Sequence, residues 1–397
     1  MIRQASDILE RITRGIIQVI WPQHAAQMTI PAWAHWVYAV ICMAVMIGFI
    51  SAMAFFLIWL ERKIAGRVQR RMGPMVTGIP RKWSGVITYL VKHPGLGTWL
   101  GGWLQTPMDA VKLFQKEDLI PEKADRVTFI AAPFLVMTAC FMTFVIIPFG
   151  PGLIVRDLNI GILYFMAISS LAVVAIVMGG WGSNNKYSLL GGLRSAAQLI
   201  SYEVPMVFSI LSAVLLAGSI RMGDIVAAQQ KAFFTGWFIC PLFIGFVVYI
   251  IAAIAETNRP PFDIPEAESE LVSGFNIEYS GMRFAMFYLA EFTNMFLVSA
   301  IATTLFLGGW TLPFGLGAAL RDYLVSLQVP HIGILAVIGG LIVFFVKTAA
   351  LVFFIMWTRW TFPRLRADQL MAFCWKLLVP LSLLNLLIAS LWAMKFI

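Results

Sequence analysis

The sequence predicts an all-α polytopic membrane protein with eight transmembrane helices, an N-terminal interfacial amphipathic helix and further amphipathic helices in its cytoplasmic loops. Three observations carry this prediction. Of 397 residues, 60% are hydrophobic and only 12% charged, and the mean hydropathy is +0.84, outside the range of soluble globular domains. Apolar runs of about 20 residues, the length that ~30 Å of hydrocarbon demands of a helix, recur between stretches of proline, glycine and charge. These runs do not alternate polar with apolar residues, so a strand barrel is excluded.

Residues 1–32 come first. Ile8, Leu9, Ile12, Ile16, Val19 and Ile20 fall on one helical face and Asp7, Glu10, Arg11, Arg14 and Gln18 elsewhere. An interfacial segment fits this pattern better than a signal peptide, because acids interrupt it and no apolar core follows the first charges. Residues 33–395 are expected to form a single eight-helix membrane domain with spans at 33–60, 126–148, 160–181, 202–220, 234–255, 282–307, 332–358 and 374–394. The intervening loops at 61–125, 182–201, 256–281 and 359–373 fall on one side. Eleven basic residues occupy 61–125, against one or two in each of the loops near 149–159, 221–233 and 308–331. The positive-inside rule therefore makes the first set cytoplasmic and puts both termini outside. The net charge of +9 reads as topology and contact with lipid headgroups rather than as nucleic-acid binding.

The chain carries no signal for an electron carrier of its own. Cys42, Cys140, Cys240 and Cys374 stand far apart, as do His24, His35, His93 and His331, so neither a metal site nor an iron–sulfur ligand set is indicated. No G-x-G-x-x-G follows a strand-like run, and no P-loop is present. No metal ligand and no catalytic residue is assigned.

Polar chemistry gathers in four places. Glu61 to Pro74 opens the first loop, with Lys63, Arg67, Arg70 and Arg71 on one side at helical spacing. Glu61 and Arg62 stand at the end of the span, where a protein cavity is accessible to them. Gln105 to Glu117 starts a second helix, with Thr106 as N-cap, Pro107 at the first position and Asp109 near the free N–H groups. Between Glu256 and Glu278 lie six of the twenty acids, on the side where positive charge is the rule. Asp263 and Glu266 have capping-box spacing, whereas Glu266 and Glu270 place like charges on one face, which destabilises an isolated helix. Crowded carboxylates raise one another's proton affinity and can hold and pass protons. Finally, Glu203, Glu291, Asn294 and Lys347 interrupt apolar runs, at a cost of at least ~2.5 kcal/mol per unpaired charge. Lys347 is either an ion-pair partner of Glu291 or Glu203, or part of a proton relay.

Four stretches together resemble the quinone-chamber membrane subunit family of respiratory complex I, the NADH dehydrogenase subunit 1 family. They are Glu61 to Pro74; Gly182 to Tyr187 with Arg194 to Pro205; Glu256 to Arg283; and Lys347 through Arg364, Asp368 to Met371 and Trp375-Lys376. The run Ala255 to Gly274, followed by Glu278-Tyr279-Ser280-Gly281, is the most specific of these. The resemblance implies a subunit of a proton-pumping NADH:quinone oxidoreductase that is not catalytic alone. Its substrate would be ubiquinone or menaquinone, with NADH, FMN and iron–sulfur clusters bound by partner subunits. Glu61, Arg62, Arg67, Asp109 and Arg283 would line the chamber or its mouth. Glu256, Asp263, Glu266, Glu268, Glu270 and Glu278 would form the acidic coupling loop, and Glu203, Glu291 and Lys347 an intramembrane path. Implied partners are the peripheral-arm quinone-site and iron–sulfur subunits, the small and antiporter-like membrane subunits, and membrane lipids. The implied location is the bacterial inner (plasma) membrane, with both termini periplasmic.

Met75 stands where the family commonly has Asn, and residues at about 79–102 look inserted. Two other functions fit the composition. A homologous subunit of a membrane-bound hydrogenase or of an F420- or ferredoxin-linked oxidoreductase is disfavoured by the intact acidic loop. A stand-alone cation antiporter is disfavoured because no inverted repeat with matching Gly/Pro-broken helices is found.

Overall fold

The computed structural model describes residues 32–74, 102–231, 237–264, 273–313, 317 and 332–396. Within them the chain is helical, with an isolated bridge between Gly150 and Leu153. In order, the helices are α1 (Ala32–Val68), α2 (Gln105–Gln115), α3 (Arg126–Thr143), α4 (Gly161–Gly182), α5 (Lys186–Ala217), α6 (Met222–Lys231), α7 (Phe243–Glu256), α8 (Gly281–Phe306), α9 (Ile332–Thr361), α10 (Ala367–Phe373) and α11 (Val379–Phe396). By its internal contacts the chain divides into Met1–Met53 and Ala54–Ile397. The described part of the first is the start of α1; the packing and sites below belong to the second. The predicted N-terminal interfacial segment and the insert at about 79–101 lie outside the described residues.

Seven segments among the described residues are long and apolar enough to cross a bilayer: Met43–Val68, Arg126–Ile146, Gly161–Gly182, Lys186–Ala217, Gly281–Phe306, Leu335–Thr361 and Ala367–Met394. The last runs through α10, a π-helical turn at Cys374–Leu378 and α11. The fold is that of an all-α, multi-pass membrane protein. The span predicted at 234–255 differs. There α7 has 14 residues, or ~21 Å of helix, and turns occupy 238–242. Seven long segments and one short apolar helix thus stand where eight spans are predicted. The break falls at Leu242, whose φ of −115° and ψ of 35° leave helical geometry, one residue after Pro241, which has no backbone N–H to donate.

A helix that starts short must satisfy its free N–H groups without water. Asn385 of α11 does part of this: its Oδ1 accepts from the Gly245 backbone N at 3.0 Å while its Nδ2 donates to Ser212 Oγ at 2.9 Å. The turns before α7 are met by Gln229 of α6, whose Oε1 accepts from Phe238 N and whose Nε2 donates to the Thr304 carbonyl.

Helix α5 begins at Lys186 rather than near 202, so most of the stretch read as the loop 182–201 is helix. Hydropathy misses it because small and polar residues there pack against protein. Asn185 caps the helix, accepting from Tyr187 N at 2.9 Å. A Cβ on Gly191 would lie 2.6 Å from Gly274 Cα, and one on Gly180 would lie 3.3 Å from Gly192 Cα. Ser188, Ser195 and Gln198 are buried between these contacts.

The helical spacing expected through Arg71 also ends early. Helix α1 stops at Val68, Arg70 takes a left-handed φ of 55°, and Arg71 N donates back to the Gly66 carbonyl at 2.7 Å. Lys63 leaves the expected basic face: it is buried and donates to the Pro74 carbonyl at 2.6 Å. In α2 the N-cap is Leu104, not Thr106. Asp109 is therefore in the body of the first turns, free to bond elsewhere.

Candidate functional site: a buried ion cluster beside a carboxylate-lined cavity

The chain turns sharply after α7. Thr257 closes the helix, Asn258 adopts a left-handed φ of 50°, and Arg259 N donates back to the Ile254 carbonyl at 3.3 Å. Gln198 of α5 fixes this turn by donating to the carbonyls of Ala255 and Phe262 at 2.8 and 2.7 Å. Arg259 is thereby directed inward, where it is only 2% exposed.

The Arg259 guanidinium sits between two carboxylates. Its Nη1 donates to both oxygens of Glu61, at 2.9 and 2.7 Å, and its Nε lies 2.8 Å from Glu291 Oε1. The ring of Phe292 packs 4.4 Å from its central carbon. Arg359 of α9 also bonds to Glu61. Two arginines and two glutamates thus meet in one cluster, buried at Glu61 and Arg259 and partly open at Glu291 and Arg359, that joins α1, α8, α9 and the loop after α7. Charges removed from water require such mutual compensation, and the cluster is formally neutral.

Around it stand further pairs. Asp263, buried, accepts from Arg364 Nη2 at 2.8 Å. Arg62, one residue from Glu61, reaches Asp109 of α2 at 2.5 Å, and Gln105 also donates to Asp109. Arg283 lies 3.1 Å from Asp118. Glu278 accepts from Asn185 at 2.7 Å. The amphipathic helix α2 turns Met108, Val111 and Phe114 to the exterior.

On the far side of Glu291 a cavity opens between α3, α4, α5, α7 and α8. It is lined by Glu203, Glu256, Glu291, Asn276 and Asn294 among apolar side chains such as Val136, Ile176 and Phe287. It offers about 90 Å³ to the centres of water molecules, against ~10–15 Å³ needed for one, so several waters fit. Glu256 Oε2 is buried with no hydrogen-bond partner among the described residues, as is Asn276 Oδ1, and both fit solvation by such waters. Glu291 belongs to both features, bonded to Arg259 and bordering the cavity.

A sequence model described as NADH dehydrogenase matches residues 40–390. The chain belongs to the NADH dehydrogenase family. Proteins named as a subunit of NADH-quinone oxidoreductase are similar to it across nearly their whole length. That of Anoxybacillus flavithermus is 44% identical over 360 residues, covering 90% of this chain and 95% of the relative. That of Brevibacillus brevis is 45% identical, covering 89% and 91%. That of Paramagnetospirillum magneticum is 43% identical, covering 87% and 89%.

Within this family member, several residues singled out from sequence come together. Glu61 and Glu291 share Arg259, and Glu203, Glu256 and Glu291 share the cavity. Arg62 and Asp109 form one pair, while Arg283 and Asp263 pair with residues not anticipated, Asp118 and Arg364. Arg67 is exposed in the last turn of α1. Glu266, Glu268 and Glu270 lie outside the described residues. Lys347 pairs with neither Glu291 nor Glu203: its ammonium donates to the backbone carbonyls of Leu307, Gly309 and Thr311. Sequence reasoning passed over Arg259 and Arg359. The available signal was a basic residue at each end of an apolar run, Arg259 before Pro260-Pro261 and Arg359 among Trp357, Thr358 and Trp360. Such charges require acidic partners inside the protein.

Proposed function

We propose that the chain is a membrane subunit of a proton-pumping NADH:quinone oxidoreductase, forming part of the quinone chamber and coupling quinone reduction to proton translocation. The carrying observation is that Glu291 belongs both to the buried cluster of Glu61, Arg259 and Arg359 and to the wall of the carboxylate-lined cavity. In this reading Glu61, Arg62, Arg67, Asp109 and Arg283 border the chamber or its mouth. The acidic loop, with Glu256, Asp263, Glu266, Glu268, Glu270 and Glu278, responds to the charge of the reduced quinone. A change of charge in the chamber beside Glu61 unbalances the neutral cluster, and Arg259, shared by the two carboxylates, passes that imbalance to Glu291. In a low-dielectric setting such close charges act strongly on one another. Glu291, Glu256 and Glu203 then hold a proton along the cavity, which has room for several waters.

The substrate class is ubiquinone or menaquinone. As the family resemblance implies, electrons come from NADH through FMN and iron–sulfur clusters in partner subunits. The partners are the peripheral-arm quinone-site and iron–sulfur subunits and the small and antiporter-like membrane subunits, embedded in the lipid of the bacterial plasma membrane. The basic loop at 61–125 faces the cytoplasm and both termini face the periplasm, as the distribution of lysine and arginine favours.

The test is photolabelling of the purified native complex with an azido-quinone, alongside identification of co-purifying flavin and iron–sulfur subunits. Label competed by quinone within residues 54–74 or 102–118 is the expected result. Label confined to other subunits would remove this chain from the chamber.

A further inference from the structure

Helix α8 ends in an unusual backbone. Gly308 and Gly309 both take left-handed φ values, 73° and 56°, and Gly309 N and Leu307 N both donate to the Thr303 carbonyl, at 2.8 and 3.2 Å. This reversal brings three carbonyls together. Lys347 Nζ, from α9, donates to Leu307 O at 2.6 Å, Gly309 O at 3.0 Å and Thr311 O at 2.5 Å. The indole of Trp237 covers the same nitrogen, its centre 4.4 Å away. An ammonium has three N–H donors and no acceptor, so three carbonyls use them all, while the ring face adds a cation–π contact. The turn tolerates no Cβ at Gly308, which would meet Thr311 Oγ1 at 2.5 Å and Trp237 Cδ1 at 2.8 Å.

This is a complete cation site whose occupant is supplied by the chain itself. A neutral amine would turn a lone pair towards one of the carbonyls, so three carbonyl acceptors suit the protonated form. Lys347 does not line the cavity of Glu203, Glu256 and Glu291. One residue along α9, Thr348 Oγ1 lies 3.3 Å from Thr303 Oγ1, which joins the same two helices at the same level. Arg359 stands further along α9, twelve residues or ~18 Å at the helical rise, where it bonds to Glu61.

We propose that Lys347 is a fixed cationic tether, a positioning residue that sets the axial register of α9 against α8 and thereby holds Arg359 at Glu61, rather than a carrier of protons. The consequence at Arg359 rests on the function proposed above; the tether itself does not.

The test is Lys347→Ala in the whole complex, purified with and without n-butylammonium, which restores an ammonium with N–H donors, or tetramethylammonium, which has charge but none. The expected result is a lowered melting temperature of the resting complex and a roughly ten-fold loss of quinone turnover, as for a lost set of charge-assisted hydrogen bonds. Both should be restored by n-butylammonium and not by tetramethylammonium. A melting temperature unchanged from wild type would mean that these contacts do not hold α9 against α8, and that result overturns the proposal. Equal restoration by both cations, or restoration by neither, also overturns it. Where Lys347→Ala fails to assemble, the same comparison is read as assembly yield in cells grown with each cation, with the same outcomes. Absence of quinone-linked turnover in the wild-type complex would instead count against the proposed function and leave the melting-temperature comparison standing.

Discussion

Arg259 donates to both carboxylate oxygens of Glu61 across 198 positions of sequence, and neither side chain has appreciable contact with solvent. Burying two such charges costs several kcal/mol per ion, and mutual attraction offsets this only when the geometry is good and the remaining donors find partners. Here Glu291 and the Phe292 face take up further sides of the guanidinium. A hydrophobic pair would hold α1 to the loop after α7 at least as well. Stability alone therefore does not explain the ions, whereas coupling between chamber and cavity gives them a use.

Arg259→Gln leaves Glu61 and Glu291 facing each other without their shared cation. Removing one partner of a buried pair typically costs about 3–5 kcal/mol. The complex should show a lower melting temperature or lower assembly yield, and the double variant Arg259→Gln/Glu61→Gln should recover part of the loss. A double variant as unstable as the sum of the two single ones would mean that the pair is not energetically coupled.

Arg62 and Arg71 separate a chamber role from a lipid role. Arg62 ties the end of α1 to Asp109 of α2 at 2.5 Å, whereas Arg71 bonds only locally to Gln69 among the contacts described for it. Both are partly or fully open to solvent, so neither substitution to alanine should change stability by more than about 1 kcal/mol. Arg62→Ala is expected to weaken quinone turnover or inhibitor binding more than Arg71→Ala does, and Asp109→Asn should resemble Arg62→Ala. Equal and small effects at both arginines would favour simple contact with headgroups.

Gly191→Ala tests the packing that sequence reading missed. The added methyl would lie 2.6 Å from the Gly274 Cα and 2.8 Å from its carbonyl carbon, backbone atoms that cannot rotate away. Overpacking of this kind costs about 1–3 kcal/mol. Thermal unfolding of the assembled complex should show it, with Gly48→Ala, whose added methyl meets nothing within 4 Å, as the unaffected reference.

The spans were legible because membrane insertion depends on hydropathy, which one sequence displays. The first half of α5 was not, since Gly191, Gly192, Ser195 and Gln198 are apolar in context rather than in composition. They are buried by close approach to α4 and to the turn at Gly274. The short α7 was read as a full span for the opposite reason. Its flanking residues are apolar enough, but the chain leaves helical geometry at Leu242 and Asn385, far away in sequence, makes the break tolerable. Among site residues, Glu61, Glu203, Glu256 and Glu291 were conspicuous as acids in or beside apolar runs. Arg259 and Arg359 stood equally close to such runs, but their importance depends on sharing Glu61, a tertiary relation without a local signature.

The final prediction concerns Glu256, which closes α7 and lines the cavity with one carboxylate oxygen lacking a partner among the described residues. Replacing it with glutamine keeps the volume and hydrogen-bonding capacity but removes the titration. No ion pair is lost with it, so the variant should assemble normally and keep its melting temperature. In reconstituted vesicles Glu256→Gln should lose proton pumping while electron transfer to quinone is slowed less, because the residue lies beyond the Arg259 cluster from Glu61. Glu270→Gln, in the acidic loop, should assemble but lose turnover and pumping together, since that loop is proposed to sense the quinone directly. Wild-type proton-to-electron ratios in an assembled Glu256→Gln complex would rule out proton passage through this carboxylate. Identical losses in the two variants would place sensing and transfer at one step rather than two.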